Sequence, residues 1–258
     1  MEKSLEKIYD EQFYNEQVEG SVRSAMIVLE ILYKIYQPRS VVEFGCGLGG
    51  WLASAESLGA LILKGYDGNW VDTKKLKSKQ IDFSAVDLEQ DISVLGKYDL
   101  AISLEVAEHL TQERAKTFIK NICSVSDVVM FGAAIPYQGG ANHINEQWQS
   151  YWIDLFEDEG YLCHDIFRKQ IWDNAAVDCC YRQNTFLFIK KNNEINMNEQ
   201  LKNLELSMHN LVHPEFYLCK IAQIKSCDNL LVKPTLKFFL KVIRRFVKNK
   251  LRNLVKMT

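Results

Sequence analysis

An α/β fold, with a mostly parallel sheet and helices on both faces, is predicted by three observations on the 258-residue chain. Short apolar runs rich in β-branched residues alternate with segments whose apolar residues recur every three or four positions, as strands and helices do. The stretch V-V-E-F-G-C-G-L-G-G-W-L, from Val41 to Leu52, sets glycines at 45, 47, 49 and 50 between a strand and a helix. Acids then occur in or at the end of three successive strand-like runs, at Glu43, Asp67 and Asp87. With 47% hydrophobic residues, the chain has enough material for one full α/β core plus an appendage and too little for two large domains.

Residues 1–37 read as a helical cover, with Val22, Met26, Leu29 and Tyr36 on one apolar stripe that ends before Pro38. After the glycine loop, Trp51 to Leu58 forms a helix that Gly59 stops. Leu61 to Asp67 is the second strand, Thr73 to Gln80 a lysine-rich helix, and Ile81 to Val86 the third strand. Tyr98 to Ser103 is the fourth, followed by a crossover helix from Thr111, its cap, to Cys123. Ser126 to Ala134 is a continuous apolar run, as suits a strand buried on both faces. It leads into a polar loop, I-P-Y-Q-G-G-A-N-H-I-N-E-Q-W, then a helix over Glu146 to Glu159 stopped at Gly160. His164 to Trp172 and Thr185 to Lys190 read as the last strands, with a turn at Y-R-Q-N, residues 181–184. Residues 192–212 read as an exposed helix, and Pro214 and Pro234 interrupt the remainder of the chain.

The glycine loop lets backbone approach a ligand, and the helix N-terminus behind it favours anionic groups. Glu43, two residues before the first glycine, would repel a pyrophosphate but tolerate an ammonium or sulfonium. Asp67 suits both hydroxyls of a ribose, and Asp87 an adenine amino group. With these residues, and the fourth-strand motif Y-D-L-A-I-S-L-E-V-A-E-H-L, the chain resembles the class I S-adenosylmethionine-dependent methyltransferases over roughly residues 41–190. The resemblance implies a Rossmann-like seven-stranded sheet with the cofactor across the carboxyl ends of the first strands. It implies S-adenosyl-L-methionine binding by Glu43, Gly45, Gly47, Gly49, Asp67, Asp87, Leu88 and Ser103. Arg23, in the segment before the first strand, pairs with the methionine carboxylate or else is simply solvated. Trp70 covers the adenine ring or fills a core gap.

Methyl transfer to a hydroxyl needs the acceptor's proton removed by a base or its pKa lowered by a metal. The candidates are Glu105, Glu108 and His109 in E-V-A-E-H and His143 in the loop after the fifth strand. If a helix follows the fourth strand, Glu105, Glu108 and His109 share one face at i, i+3 and i+4. Two carboxylates and two imidazoles suit a divalent Mg, Mn or Fe ion. The quartet resembles that of small-RNA 2′-O-methyltransferases. His143 as a metal-free base and a purely structural His109 are the competing readings. His164, His209 and His213 lie outside any cluster.

The expected organisation is a methyltransferase domain over 1–191 and a helical extension over 192–258. Residues 233–258 hold nine Lys or Arg and no acid, leaving 22 basic against 33 acidic residues in the remainder. That acidic body is a poor partner for nucleic acid, and no DNA binding is expected. In the tail, apolar residues at 236, 239, 240, 243, 246, 247, 251, 254 and 255 alternate with Lys and Arg in a basic amphipathic helix. Such a helix binds an anionic membrane surface or packs on protein. Seven cysteines without a C-x-x-C pair fit a reducing cytoplasm, with peripheral contact at the inner membrane face through 236–255. The expected acceptor is a small molecule or glycan, with a sugar hydroxyl first because the loop sequence resembles that of bacterial methyltransferases associated with surface polysaccharides. An RNA-terminal methyltransferase, a nicotinamide dehydrogenase and an inactive membrane-surface scaffold are the rivals; the oligomeric state is open.

Overall fold

The computed structural model describes residues 11–92, 96–191, 209–232 and, in the tail, 236, 238–240 and 243–245. Residues Met1–His213 and Pro214–Thr258 form separate compact units. In the first unit the chain runs α1 (Glu11–Tyr33), β1 (Ser40–Phe44), α2 (Gly50–Ser57), β2 (Ile62–Asp67), β3 (Ile81–Ala85), β4 (Leu100–Leu104), α3 (Gln112–Val125) and β5 (Val128–Gly132). It continues through α4 (Gln149–Asp158), β6 (Tyr161–His164), α5 (Arg168–Ile171), α6 (Cys179–Asn184) and β7 (Phe186–Lys190).

The seven strands lie in the order β3-β2-β1-β4-β5-β7-β6. All neighbours pair in parallel except at β7, which runs antiparallel to both β5 and β6. This is the Rossmann-like methyltransferase sheet that the motifs imply. Chain order reverses between β1 and β4, and the crevice at the carboxyl ends of those strands is where such sheets take ligands.

Period-two alternation divides the core between the two faces of the sheet. Val41, Leu100, Ile102 and Met130 pack with Leu29 and Leu32 of α1 and Trp51 and Leu52 of α2. Val42, Phe44, Ala101 and Phe131 pack with Phe118 and Ile122 of α3 and Trp152 and Phe156 of α4. β1, β4 and β5 are almost wholly buried, and apart from Ser40, Glu43 and Ser103 their side chains are apolar or absent.

Several elements differ from the sequence-based expectation. The lysine-rich helix over 73–80 is only a 3₁₀ turn, Thr73–Lys75, started by the Asp72 carboxylate accepting from the Lys74 N–H at 3.1 Å. Leu76 is the one apolar residue in that stretch, so a longer helix would have no stripe to bury. The sixth strand is Tyr161–His164 rather than 164–172. Asp165 ends it by accepting from both the Arg168 N–H (3.2 Å) and its guanidinium (2.6 Å), which closes a turn into α5. Residues 181–184 belong to α6, not to a turn, and α4 starts at Gln149 rather than at 146. Thr111 precedes α3 but makes no side-chain cap; its N–H and hydroxyl instead donate to Glu89, at 2.6 and 3.0 Å.

In the second unit α7 spans Pro214–Val232, with proline at its first position, where no N–H is needed. Most of the expected helix over 192–212 and of the basic helix over 236–255 lies outside the described residues. No helix among the described residues is long and apolar enough to cross a membrane.

Candidate active site

The glycine loop between β1 and α2 is shaped by three left-handed glycines, Gly45 (φ 78°), Gly47 (φ 52°) and Gly49 (φ 75°). Their roles differ. A Cβ on Gly45 would collide with Val106, and one on Gly49 with Ile81, so these two glycines permit internal packing. A Cβ on Gly47 would meet nothing within 4 Å, so that glycine faces open space. Its N–H donates to Asp67 Oδ2 at 2.7 Å, and the Gly68 N–H donates to Oδ1 at 2.6 Å. Asp67 is thereby fixed at the end of β2 beside the loop, and each oxygen keeps a lone pair for a further donor.

Glu43 on β1 is buried, and its Oε2 has no hydrogen-bond partner. Burial, then the nearby charge of Asp67, pushes its pKa well above the ordinary 4.5. Burial likewise raises Asp67, against the two N–H bonds that lower it. Among the described residues neither acid has a cationic partner. Two buried acids beside an open glycine loop suit a ligand that brings hydrogen-bond donors and positive charge, and the ribose hydroxyls, sulfonium and ammonium of S-adenosylmethionine supply both.

The remaining expected cofactor residues are less uniformly placed. Ser103 on β4 is fully buried, with an unpartnered hydroxyl. Asp87 is exposed and accepts the Glu89 N–H at 3.0 Å, while the Leu88 carbonyl accepts from Arg114 at 2.9 Å. Arg23 is already engaged, donating to the Ala176 carbonyl at 2.8 Å with Asp178 3.7 Å away. Trp70 is 76% exposed, which removes the core-gap reading, and its ring lies where a Cβ on Gly68 would be.

At the end of β4 the structure departs from a helical face. Glu105 takes a left-handed backbone (φ 56°), and only Ala107–His109 forms a 3₁₀ turn. Glu105 therefore does not share one face with Glu108 and His109, although its charge still acts on Glu108. Its carboxylate accepts from Gln138 Nε2 at 2.7 Å and Asn184 Nδ2 at 2.9 Å. Burial raises its pKa, and these two amides work against that rise.

Glu108, His109 and His143 do come together, with one ligand atom from each lying within 4.8 Å of the others. Glu108 is fully buried, and neither of its oxygens has a hydrogen-bond partner. Burial, then the charge of Glu105, pushes its pKa well above 4.5. Burial and the neighbouring His143 lower the pKa of His109, which favours the neutral imidazole that a metal requires. The two rings meet edge to face with centroids 4.8 Å apart, and His143 Nε2 is 4.0 Å from Glu108 Oε1. The turn adjoins the glycine loop, because Val106 packs against Gly45.

Three features of this half escaped sequence reasoning. Glu146 accepts from the Tyr137 N–H, the Gly139 N–H and the His143 ring. Gln138 holds Glu105 from the same loop. Asn184 and Gln183, in the Y-R-Q-N stretch, form a buried amide network with Gln138. The H-x-x-E spacing of His143 and Glu146 was the one available signal; the amide contacts join residues up to 79 positions apart and left none.

Residues 14–127 match the family model of a methyltransferase domain. Among solved structures, the chain is similar to magnesium protoporphyrin IX methyltransferase from Synechocystis PCC 6803 with bound S-adenosylhomocysteine. The identity is 18%, over 66% of this chain and 84% of that one, with a TM-score of 0.49. It is also similar to the methyltransferase domain of a bacterial Hen1 protein, at 18% identity over 65% and 97% of the two chains and a TM-score of 0.49. An O-methyltransferase family protein from Burkholderia thailandensis aligns over 71% of this chain and 60% of that one, at 11% identity and a TM-score of 0.52. At such identities the likeness is one of fold. No curated protein matches the sequence.

Proposed function

We propose that this S-adenosylmethionine-dependent methyltransferase acts on oxygen, taking as acceptor a sugar or glycan precursor with adjacent hydroxyls. The observation that carries the reading is the buried, unpartnered carboxylate of Glu108 beside the two imidazoles of His109 and His143. A carbon or thiol acceptor has no comparable need for such a set, whereas a neutral hydroxyl needs its proton removed as it attacks.

S-adenosylmethionine, when bound, supplies an electrophilic methyl group. Asp67 offers its free lone pairs to the ribose hydroxyls, and Glu43 its bare oxygen to the cationic end of the cofactor. Glu108, His109 and His143 would hold a divalent ion such as Mg²⁺, Mn²⁺ or Fe²⁺, which would supply Lewis acidity toward the acceptor oxygens. Glu105 lies outside that set and, braced by Gln138 and Asn184, lines the acceptor side as a fixed carboxylate. With an ion bound, the His143 Nε2 lone pair would serve as a ligand; in the metal-free alternative the same lone pair would receive the acceptor proton.

The test is formation of S-adenosylhomocysteine with sugar nucleotides carrying a free vicinal diol, their monodeoxy analogues, and a short oligoribonucleotide with a 3′-terminal diol. Turnover of the diol sugars that a chelator abolishes and Mn²⁺ restores is the expected result. Turnover of the oligoribonucleotide alone would overturn the sugar reading, and full activity in chelator would overturn the metal.

The basic tail is a second component of the proposal, as a contact with anionic membrane where glycan precursors are assembled. Leu236, Phe239, Leu240 and Ile243 are each at least half exposed, which supports it. Vesicles containing anionic lipid should sediment the full chain, and truncation at Pro234 should abolish this.

A further inference from the structure

Glu146 is three residues past His143 on the loop that closes the acceptor side, and one carboxylate there receives three donors. Oε2 accepts the Tyr137 N–H at 2.7 Å; Oε1 accepts the Gly139 N–H at 2.7 Å and lies 2.9 Å from His143 Nδ1. We infer that Glu146 is the positioning residue of the acceptor side, holding the 137–143 loop and fixing His143 with its proton on Nδ1 and its Nε2 lone pair toward Glu108. The inference rests on the reading of His143 as a functional group, and it adds what makes that group competent.

The geometry leaves little choice of tautomer. An ionised carboxylate only accepts, so the ring nitrogen 2.9 Å from it must be the donor. A neutral imidazole protonated at Nδ1 has its lone pair on Nε2, the nitrogen on the Glu108 side. The loop is built around this orientation. A Cβ on Gly140 would collide with the His143 ring, so the ring occupies space that only glycine leaves. Tyr137 (φ 66°) and Asn142 (φ 61°) both sit in the left-handed region, and Tyr137 is 85% exposed, so local packing does not hold it there. The Gln138 N–H to Ile135 carbonyl bond, 2.9 Å, closes the turn that contains Tyr137, and the bond from its own N–H to Glu146 ties that turn to the imidazole. The far end of the loop is pinned to the 3₁₀ turn, where the Ile144 and Asn145 N–H groups both donate to the Glu108 carbonyl, at 2.9 and 3.0 Å. Glu146 thus links the loop to the imidazole as an outer partner orients a ligating histidine.

The experiment is two-bond ¹H–¹⁵N correlation NMR on full-length protein labelled at histidine, with His143 assigned from His143→Ala. Wild type should show the Nδ1–H tautomer. Glu146→Gln, which loses one acceptor and gains a competing donor, should lose that preference while the His164 signals stay in place. A His143 in the Nε2–H form in wild type, or one unchanged in both Glu146→Gln and Glu146→Asp, would overturn the inference. A second measurement uses Mn²⁺ alone: Glu146→Gln should bind it about 10- to 100-fold more weakly than wild type. The tautomer readout needs neither metal nor acceptor. A wild type that has Nδ1–H His143 and ignores Mn²⁺ would therefore remove the metal from the proposed function and leave the role of Glu146 supported.

Discussion

The cofactor half and the acceptor half of the crevice each set an acid that holds a loop beside a bare acid. In the first, Asp67 is held by two backbone N–H groups while Glu43 has an unpartnered buried oxygen. In the second, Glu146 is held by two backbone N–H groups and an imidazole, while both oxygens of Glu108 are bare. The satisfied acid fixes a loop in each case, and the bare acid is a costly group that a cation would relieve. What differs is the source of the parts. Both acids and the glycine loop of the cofactor half come from one stretch of 25 residues, 43–67, that depends on backbone and glycine, whereas the acceptor half draws on the segment after β4, the loop after β5 and α6.

That difference predicts where substitutions act. The largest effect is expected at Gly45, where a side chain meets both a left-handed φ and the packed Val106. Gly45→Ala should cost about 2–5 kcal/mol in urea unfolding, the sum of left-handed strain and overpacking. A loss under about 1 kcal/mol would show that the loop is not the rigid half. Asp67→Ala should leave the fold intact and weaken S-adenosylmethionine at least about tenfold by calorimetry, because bonds to a charged acceptor are lost. Unchanged affinity would separate Asp67 from the cofactor.

The bare acids give a pH signature. The folded-state pKa of Glu43 and Glu108 lies above the ordinary 4.5, so the folded chain binds more protons than the unfolded one as pH rises past that value. Their contribution is present below the unfolded pKa and is lost as pH rises through the folded one. His164, half-buried and lowered by burial, acts oppositely and loses its contribution as pH falls through its folded value. The comparison of wild type with Glu108→Gln removes one acid together with its interaction with Glu105. As pH rises past the ordinary 4.5, the cation-free wild type should lose stability relative to the variant, and saturating Mn²⁺ should reverse the difference. Parallel curves with and without Mn²⁺ would mean that Glu108 is not the relieved group.

The same contrast explains what was legible in the sequence. Strands and the glycine loop are local: alternation fixes which face of β1 is buried, and glycine spacing fixes a turn. Glu43, Asp67, Glu108 and His109 could be picked out because acids and imidazoles are scarce within or beside apolar runs, and His143 because it lies in the loop after the fifth strand. The absence of Glu105 from the cluster of Glu108, His109 and His143 could not, since it depends on a left-handed residue and on amides from Gln138 and Asn184. The same limit applied at 164–172, where the Asp165–Arg168 contact converts an apparent strand into a helix. Arg23 resembled an anion ligand by position, yet a carbonyl and a carboxylate from before α6 engage it.

The smallest expected effect is at Trp70, which is exposed and packs over Gly68 beside Asp67. Trp70→Ala should leave stability within about 0.5 kcal/mol. If the ring covers the adenine, cofactor affinity should fall by about 1 kcal/mol in the same calorimetric assay. An unchanged affinity would confine the cofactor half to Glu43, Asp67 and the loop.

The central claim, that the bare acid of the acceptor half receives a cation, is tested most directly by anomalous diffraction from crystals grown with Mn²⁺ and S-adenosylhomocysteine. One Mn²⁺ peak within bonding distance of Glu108, His109 and His143, with Glu105 still on Gln138 and Asn184, is the result predicted. Ordered S-adenosylhomocysteine with no peak at those three side chains, or a peak that recruits Glu105 in place of Glu108, would contradict it.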